Sequence, residues 1–388
     1  MELSKARILH ISKYYYPFLG GTEQVARDAV KALLGTGAEQ RVICFNEDAG
    51  NGENETRHGE TVTDRVDGVE VVRCGYQLKA ASQSLAFGYG RELRKLMDLF
   101  QPNVVILHYP NPYVTHFLLK YRDRDFKLLV YWHLDIVKQK VLRLFFTGQN
   151  NALIQRADRL IATSQNYIDG STWLGSAKEK CVVIPNCINT ERLQMTPEAE
   201  KSATEIRKAN REKILCFAVG RHTAYKGYRY LIQAAKLLDD RFRVVIGGSG
   251  EETENLKAEA GGDPRIVFVG RLEETELKAY LKEMDIFCFP SITKNEAFGI
   301  ALAEGMYFAK PAVTFTIPGS GVNYVCLSGE NGIEVPNRDV GAYADALKKL
   351  ADDEQLRNRY GRAARQRVMD NFLPEDFKQN ITRLILDL

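Results

Sequence analysis

The chain has 388 residues, with 53 Lys and Arg against 50 Asp and Glu, a formal net charge of +3. Its 45% hydrophobic and 27% charged residues are those of a globular protein long enough for two or three domains. The near balance of charge gives no argument for nucleic acid, which would favour a concentrated basic stripe, so no nucleic-acid partner is expected. No apolar stretch approaches the roughly 18 residues of a membrane span. The short run Ile8–Ile11, interrupted by His10 and followed by Lys13, lacks the apolar core of a signal peptide. Seven cysteines (Cys44, Cys74, Cys181, Cys187, Cys216, Cys288 and Cys326), an odd number with no Cys-x-x-Cys, read as free thiols in a reducing, cytoplasmic setting.

Short apolar runs alternate with amphipathic segments along the chain. The first strands are expected at Arg7–Ser12, Arg41–Phe45, Val69–Cys74, Val104–His108, Lys127–His133, Arg159–Thr163 and Cys181–Ile184, with helices at Thr22–Leu34, Ala86–Phe100, Ile136–Phe146 and Asn150–Arg156. Such alternation predicts a parallel sheet covered on both faces. The polar stretch Ile188–Arg211 reads as an inter-domain connection. The pattern then restarts, with strands at Leu215–Val219, Arg243–Gly247, Ile266–Val269, Ile286–Phe289 and Pro311–Thr314 and helices at Tyr228–Leu238, Glu274–Glu283, Gly299–Tyr307 and Val340–Ala351. A last helix is expected over Pro374–Leu388. The fold class is therefore α/β, with two Rossmann-like doubly wound domains, 1–190 and 191–371, and a terminal segment 372–388. Ligands of such sheets bind beyond the carboxyl ends of the strands, so two facing sheets imply a cleft.

The residues with chemical meaning fall at those strand ends. Tyr16–Thr22 follows the first strand and opens a helix; Gly20 and Gly21 there let backbone amides approach an anion, although a plain strand-to-helix turn has the same composition. It is not Gly-x-Gly-x-x-Gly, and no Walker-type loop occurs, which counts against a dinucleotide dehydrogenase or a phosphate-loop NTPase. In the second half, Gly220-Arg221-His222 ends a strand and Tyr225-Lys226-Gly227 precedes a helix. A guanidinium fork and an ammonium so placed can both reach a diphosphate; alone they also fit two solvated loop cations. The sharpest signal is Asn295-Glu296-Ala297-Phe298-Gly299-Ile300-Ala301-Leu302-Ala303-Glu304. With a helix starting near Phe298, Glu296 sits in the preceding loop and Glu304 about two turns in. The two carboxylates can then hold different hydroxyls of one extended ligand, while free amides at Phe298–Ile300 face its phosphate or sugar.

Taken together, Gly220-Arg221, Lys226-Gly227, Gly270-Arg271-Leu272, the Glu-Ala-Phe-Gly-Ile block with Glu304, and Ser320-Gly321-Val322 resemble the retaining glycosyltransferase family 4, with its two-Rossmann-domain GT-B fold. The likeness covers nearly the whole chain. It implies that Arg221 and Lys226 bind the donor diphosphate, that Glu304 holds the ribose hydroxyls, and that Glu296 contacts the transferred sugar with backbone help from Phe298, Gly299 and Ile300. Arg271 would lie beside the nucleobase, and Gly20 and Gly21 would face the phosphates across the cleft. Tyr131-Trp132-His133-Leu134-Asp135 resembles the family's His motif, so His133 would bond a sugar hydroxyl near the reacting carbon. The C-terminal helix would cross back onto the first domain. Three positions depart from the family pattern: His222, Gly305 and Pro374.

The resemblance implies a metal-independent, retaining hexosyltransferase using GDP-mannose or a UDP-hexose, with a glycan or lipid-linked acceptor of bacterial surface polysaccharide synthesis. No cofactor is expected. A nucleotide-sugar epimerase of the same architecture and a non-catalytic nucleotide-sugar binding protein are the alternatives. Asp123-Arg124-Asp125 spells the Asp-x-Asp of metal-dependent transferases but precedes a strand among other charges, and reads as a solvated turn. Lys138–Phe146 combines cations with an apolar stripe; it fits a peripheral contact with the cytoplasmic membrane face as well as an ordinary amphipathic helix packed on the sheet.

Overall fold

The computed structural model describes residues 1–18, 20–47, 59–80, 83–135 and 140–388, without the side chains of 80 and 140–145. The chain forms two compact units: Met1–Thr163 with Ser171–Asn186 and Pro374–Leu388, and Ser164–Gly170 with Cys187–Leu373. In the first, strands β1 (Arg7–Ile11), β2 (Glu39–Phe45), β3 (Val62–Val66), β4 (Val69–Cys74), β7 (Val104–Tyr109), β8 (Lys127–Trp132), β9 (Arg159–Ala162) and β10 (Cys181–Val183) make one sheet in the order β10-β9-β8-β7-β1-β2-β4-β3. The short pair β5 (Leu78–Ala80) and β6 (Gln83–Leu85) stands apart as a hairpin. All pairings of the large sheet are parallel except β3 with β4. The central strands are buried on both faces, which is why β7 reads Val-Val-Ile-Leu-His-Tyr without a polar alternation.

The second unit holds a wholly parallel sheet of β11 (Ile214–Val219), β12 (Phe242–Gly247), β13 (Ile266–Gly270), β14 (Ile286–Phe289), β15 (Ala312–Phe315) and β16 (Gly332–Val335), in the order β13-β12-β11-β14-β15-β16. Its core joins the strands to the helices Tyr228–Ala235, Ile300–Tyr307, Val340–Asp352 and Glu354–Asn371. Strand order reverses between β1 and β7 in the first sheet and between β11 and β14 in the second. At such a switch point the flanking loops leave in opposite directions and open a crevice.

Several expectations are corrected. Ile188–Arg211 is no linker: Thr190–Leu193 and Pro197–Ala209 are helices of the second unit, and the latter packs against Glu274–Glu283. Thr196 and Pro197 are an N-cap and a first-turn proline, a start signal the high charge obscured. The first unit gives way to the second after Asn186, not 190, and the short helix Gln165–Gly170 lies with the second, against Val322–Val325. β3 adds an antiparallel edge to an otherwise parallel sheet; its outward Thr63, Asp64 and Arg65 gave no apolar signal. The segments Ile136–Phe146 and Asn150–Arg156 are one helix, Lys140–Arg156, with residues 136–139 outside the described residues. The helix expected over Ala86–Phe100 is Tyr89–Lys95, running into a π-turn at Leu96–Phe100. The C-terminal helix Pro374–Leu386 packs on Gly21–Ala32 of the first unit, and Pro374 takes a first-turn position where its missing N–H costs nothing.

Two of the departing residues are explained by packing. His222 is buried against Tyr228 and Phe268, with Nδ1 3.0 Å from Thr253 Oγ1. Gly305 lies over the ring of Phe287: a Cβ at 305 would stand 2.8 Å from the ring's Cγ. We therefore expect Gly305→Ala to lower stability by about 1–2 kcal/mol, overpacking outweighing the roughly 1 kcal/mol gained in helix propensity. Adding Phe287→Leu should recover part of the loss in a thermal melt. An unchanged or higher Tm for Gly305→Ala alone would contradict this packing.

Candidate active site

In the second unit the loops at the switch point hold the residues singled out by sequence. Tyr225 and Lys226 form a short 3-10 turn after β11, and Gly227 follows in the left-handed region (φ +68°) as N-cap of Tyr228–Ala235. A Cβ on Gly227 would stand 2.0 Å from the Pro290 carbonyl oxygen, so only glycine lets this turn rest on the end of β14. The contact is fastened by the Ile292 amide donating to the Tyr225 carbonyl at 2.9 Å. As a result Lys226 Nζ lies 2.5 Å from Glu296 Oε2, and Ser291 Oγ is 3.1 Å from the same oxygen. Both side chains are only 13% exposed. Nζ also stands over the rings of Phe289 and Tyr225, at 5.2 and 5.6 Å. Burial disfavours the ammonium, but the Glu296 carboxylate and the Tyr225 and Tyr228 phenols outweigh it, and the Lys226 pKa is raised.

The Glu296 loop is fastened from the other side by Ser320 and Gly321. Ser320 Oγ donates to the Glu296 carbonyl, and the Gly321 amide donates to the Ala297 carbonyl at 3.0 Å. Here too a Cβ would collide, 2.2 Å from the Ala297 oxygen. Ser320-Gly321-Val322 is thus a clasp for the Glu296 loop. Phe298 is buried, with its ring edge-on to Phe372 at 5.2 Å. Gly299, at φ +95°, opens the helix Ile300–Tyr307 without any side-chain cap. The helix therefore begins two residues later than expected, and Glu304 sits little more than one turn in. Its first amides have no intrahelical partners and carry the partial positive charge of a helix start.

Glu304 is buried, and one oxygen accepts from the Arg192 guanidinium. Burial raises its pKa, and Arg192 opposes that rise. Arg221 and Arg271 are exposed at the ends of β11 and β13, and their side chains make no hydrogen bond or ion pair among the described residues. The sequence reading missed Arg192, which lies 112 positions from Glu304, and gave no role to Ser291, nor to the Ser320 of the Ser320-Gly321-Val322 stretch.

In the first unit, Gly20 and Gly21 open the helix Gly21–Ala32, again without a side-chain cap. Gly21 has open space where a Cβ would be, so the fold of this unit does not itself require glycine there. His133 follows β8 and is buried, its Nε2 3.0 Å from His108 Nδ1. Its ring stacks on Tyr131 at 4.6 Å. Burial pushes the His133 pKa down to about 3, so the ring is neutral near pH 7. Asp135 is buried and accepts from Trp132 Nε1 at 2.9 Å and Ser171 Oγ at 2.8 Å. Asp123 is 91% exposed beside Arg122, and Arg124 pairs with Asp98, the solvated turn that was expected.

Known proteins resemble this chain over nearly its whole length. The family model for Glycosyltransferase Family 4 matches residues 19–192, and that for Glycosyl transferases group 1 matches residues 200–367. The chain is 28% identical over 369 residues to the O-antigen chain mannosyltransferase C of Escherichia coli, covering 94% of each. It is 29% identical over 374 residues to the D-rhamnosyltransferase WbpZ of Pseudomonas aeruginosa, covering 94% of this chain and 92% of that one. Among solved structures, Anabaena HepE in complex with UDP and glucose superposes with a TM-score of 0.76 at 17% identity, over 99% of this chain and 100% of that one. That likeness shows the GT-B fold. With both parts of the chain matched, with relatives spanning nearly its whole length, and with this fold, the chain belongs to glycosyltransferase family 4.

Proposed function

We propose that this glycosyltransferase moves a hexose from GDP-mannose or a UDP-hexose to a hydroxyl of a glycan or lipid-linked acceptor in bacterial surface polysaccharide synthesis, with retention and without a metal. The observation that carries the reading is the half-buried Lys226–Glu296 pair set before an uncapped helix start at the switch point of the second unit. A donor diphosphate there meets an ammonium, the amides around Phe298, Gly299 and Ile300, and the guanidinium of Arg221. Charge that develops on the leaving phosphate oxygen is stabilised most by groups already fixed in place, and these cations supply it without a divalent ion. Glu296 then holds a hydroxyl of the transferred sugar and Glu304 the ribose, with Arg271 beside the base. The relatives named for mannosyl and rhamnosyl transfer support the sugar class.

Retention requires either a carboxylate nucleophile or attack from the leaving-group face. Glu296 is engaged by Lys226 and Ser291, and Asp135 by Trp132 and Ser171, which supports the second course. The acceptor oxygen bonds to the anomeric carbon as the carbon–phosphate oxygen bond breaks, and the acceptor proton passes to a phosphate oxygen. His133, neutral, serves as a hydrogen-bond partner for a sugar hydroxyl. For the acceptor side, the peripheral membrane reading of Lys138–Phe146 rests on residues 138–139, which lie outside the described residues, and on the side chains of 140–145, which are not described. No helix among the described residues is long and apolar enough to cross a membrane. Flotation with anionic liposomes tests whether the chain binds a membrane face: recovery in the light fraction supports it, and recovery in the pellet only opposes it.

A thermal-shift screen with GDP-, UDP- and ADP-sugars should single out one base, a ligand at about 100 times its Kd adding roughly 2.7 kcal/mol to folded-state stability. NMR of the product should show the donor's anomeric configuration; an inverted product, or a trapped glycosyl adduct on Asp135 or Glu296, would falsify same-face attack. Lys226→Ala should lower kcat about 100-fold or more, the loss typical of removing one group that stabilises developing charge. Near-normal turnover would remove Lys226 from the site.

A further inference from the structure

Arg192 stands on the helix Thr190–Leu193, whose start is fixed by Asn189 Oδ1 accepting from the Arg192 amide at 3.0 Å. From there the guanidinium reaches across to Glu304 Oε1. The arginine side chain is 34% exposed and that of Glu304 9%, so the guanidinium lies on the solvent side of a buried carboxylate. Glu304 Oε2 has no hydrogen bond among the described residues, and one such oxygen has lone pairs for two hydroxyls.

We propose that Arg192 is a positioning residue for donor binding, holding Glu304 Oε1 so that the carboxylate stays charged and presents Oε2 to the ligand. This rests on the reading of Glu304 as the ribose-binding carboxylate. An isolated carboxylate at this depth is driven to protonate, and a protonated carboxyl loses acceptor capacity. Arg192 is the one charged side chain that acts on Glu304 among the described residues. Strands β14 and β15 and the helix Val322–Val325 bring no charge against the Glu304 helix. On the packed helix Glu354–Asn371, Arg365 is bound to the Tyr307 carbonyl and Arg367 to the Tyr324 and Val325 carbonyls. Lys226 is held by Glu296. Glu191, next to Arg192, is exposed.

The sign of the pH effect follows. Without Arg192 the Glu304 pKa rises further, so less carboxylate is present at neutral pH and donor binding recovers as pH increases. The test measures donor KM and kcat from pH 6 to 9 with GDP-mannose and UDP-glucose, on the full chain and three variants. Arg192→Ala should raise donor KM about tenfold or more at pH 7, the factor for one lost charge-assisted contact, and approach wild type near pH 9 with kcat at saturation little changed. Arg192→Lys should restore much of the loss, and Glu304→Gln should raise donor KM equally at every pH. A wild-type KM for Arg192→Ala, or one raised by the same factor from pH 6 to 9, overturns the proposal while leaving the ribose reading of Glu304 in place. A wild-type KM for Glu304→Gln overturns that reading, and the proposal with it. Should Arg192→Ala fail to fold, Arg192→Gln carries the test: its KM is raised at pH 6 and approaches wild type near pH 9, and a wild-type KM throughout overturns the proposal.

Discussion

The ion pair between Lys226 and Glu296 sets the terms for the whole site. Two charges are taken out of water together, each compensating the other's desolvation, with Ser291 satisfying the same carboxylate oxygen. Neither charge tolerates that depth without the other, so the loops carrying them must meet in one arrangement. The backbone enforces this at two places where a side chain would collide: Gly227 against the Pro290 carbonyl and Gly321 against the Ala297 carbonyl. Sheet topology supplies the rest. β11 and β14 are neighbours that send their loops apart, and the crevice between those loops holds the pair. On the proposed reading, a phosphate arriving at Lys226 would replace one compensating anion by another and free Glu296 for a hydroxyl.

Glu304 answers the same problem in a different way. Its helix, Ile300–Tyr307, carries no other charge, and among the described residues only Arg192 offsets its burial. Each carboxylate thus accepts from a cation, Glu296 from Lys226 and Glu304 from Arg192.

Much of this was legible in the sequence because it depends on local chemistry. Strand–helix alternation located both sheets, glycine at strand ends located the turns, and the Glu-Ala-Phe-Gly-Ile block located the uncapped helix start. What escaped depended on distant contacts or on polar surfaces. Arg192 looks like any charge in a polar stretch until the fold brings it to Glu304. Pro197–Ala209 hid its helix under an excess of charge, and β3 carries an exposed edge with no apolar rhythm. Gly305 read as a departure from pattern, and only the ring of Phe287 explains it. His133 was expected to offer itself to a ligand; its bond to His108 was invisible, because it joins neighbouring strands of the sheet.

The central claim is that Lys226 reads the diphosphate of the donor. Calorimetric Kd values for the nucleoside and for its diphosphate, on wild type and on Lys226→Met, test it directly. The account predicts that wild type prefers the diphosphate by about 100-fold, in line with charge-assisted contacts to phosphate, and that the variant loses most of this preference while its nucleoside affinity is unchanged. An undiminished preference in the variant would contradict it.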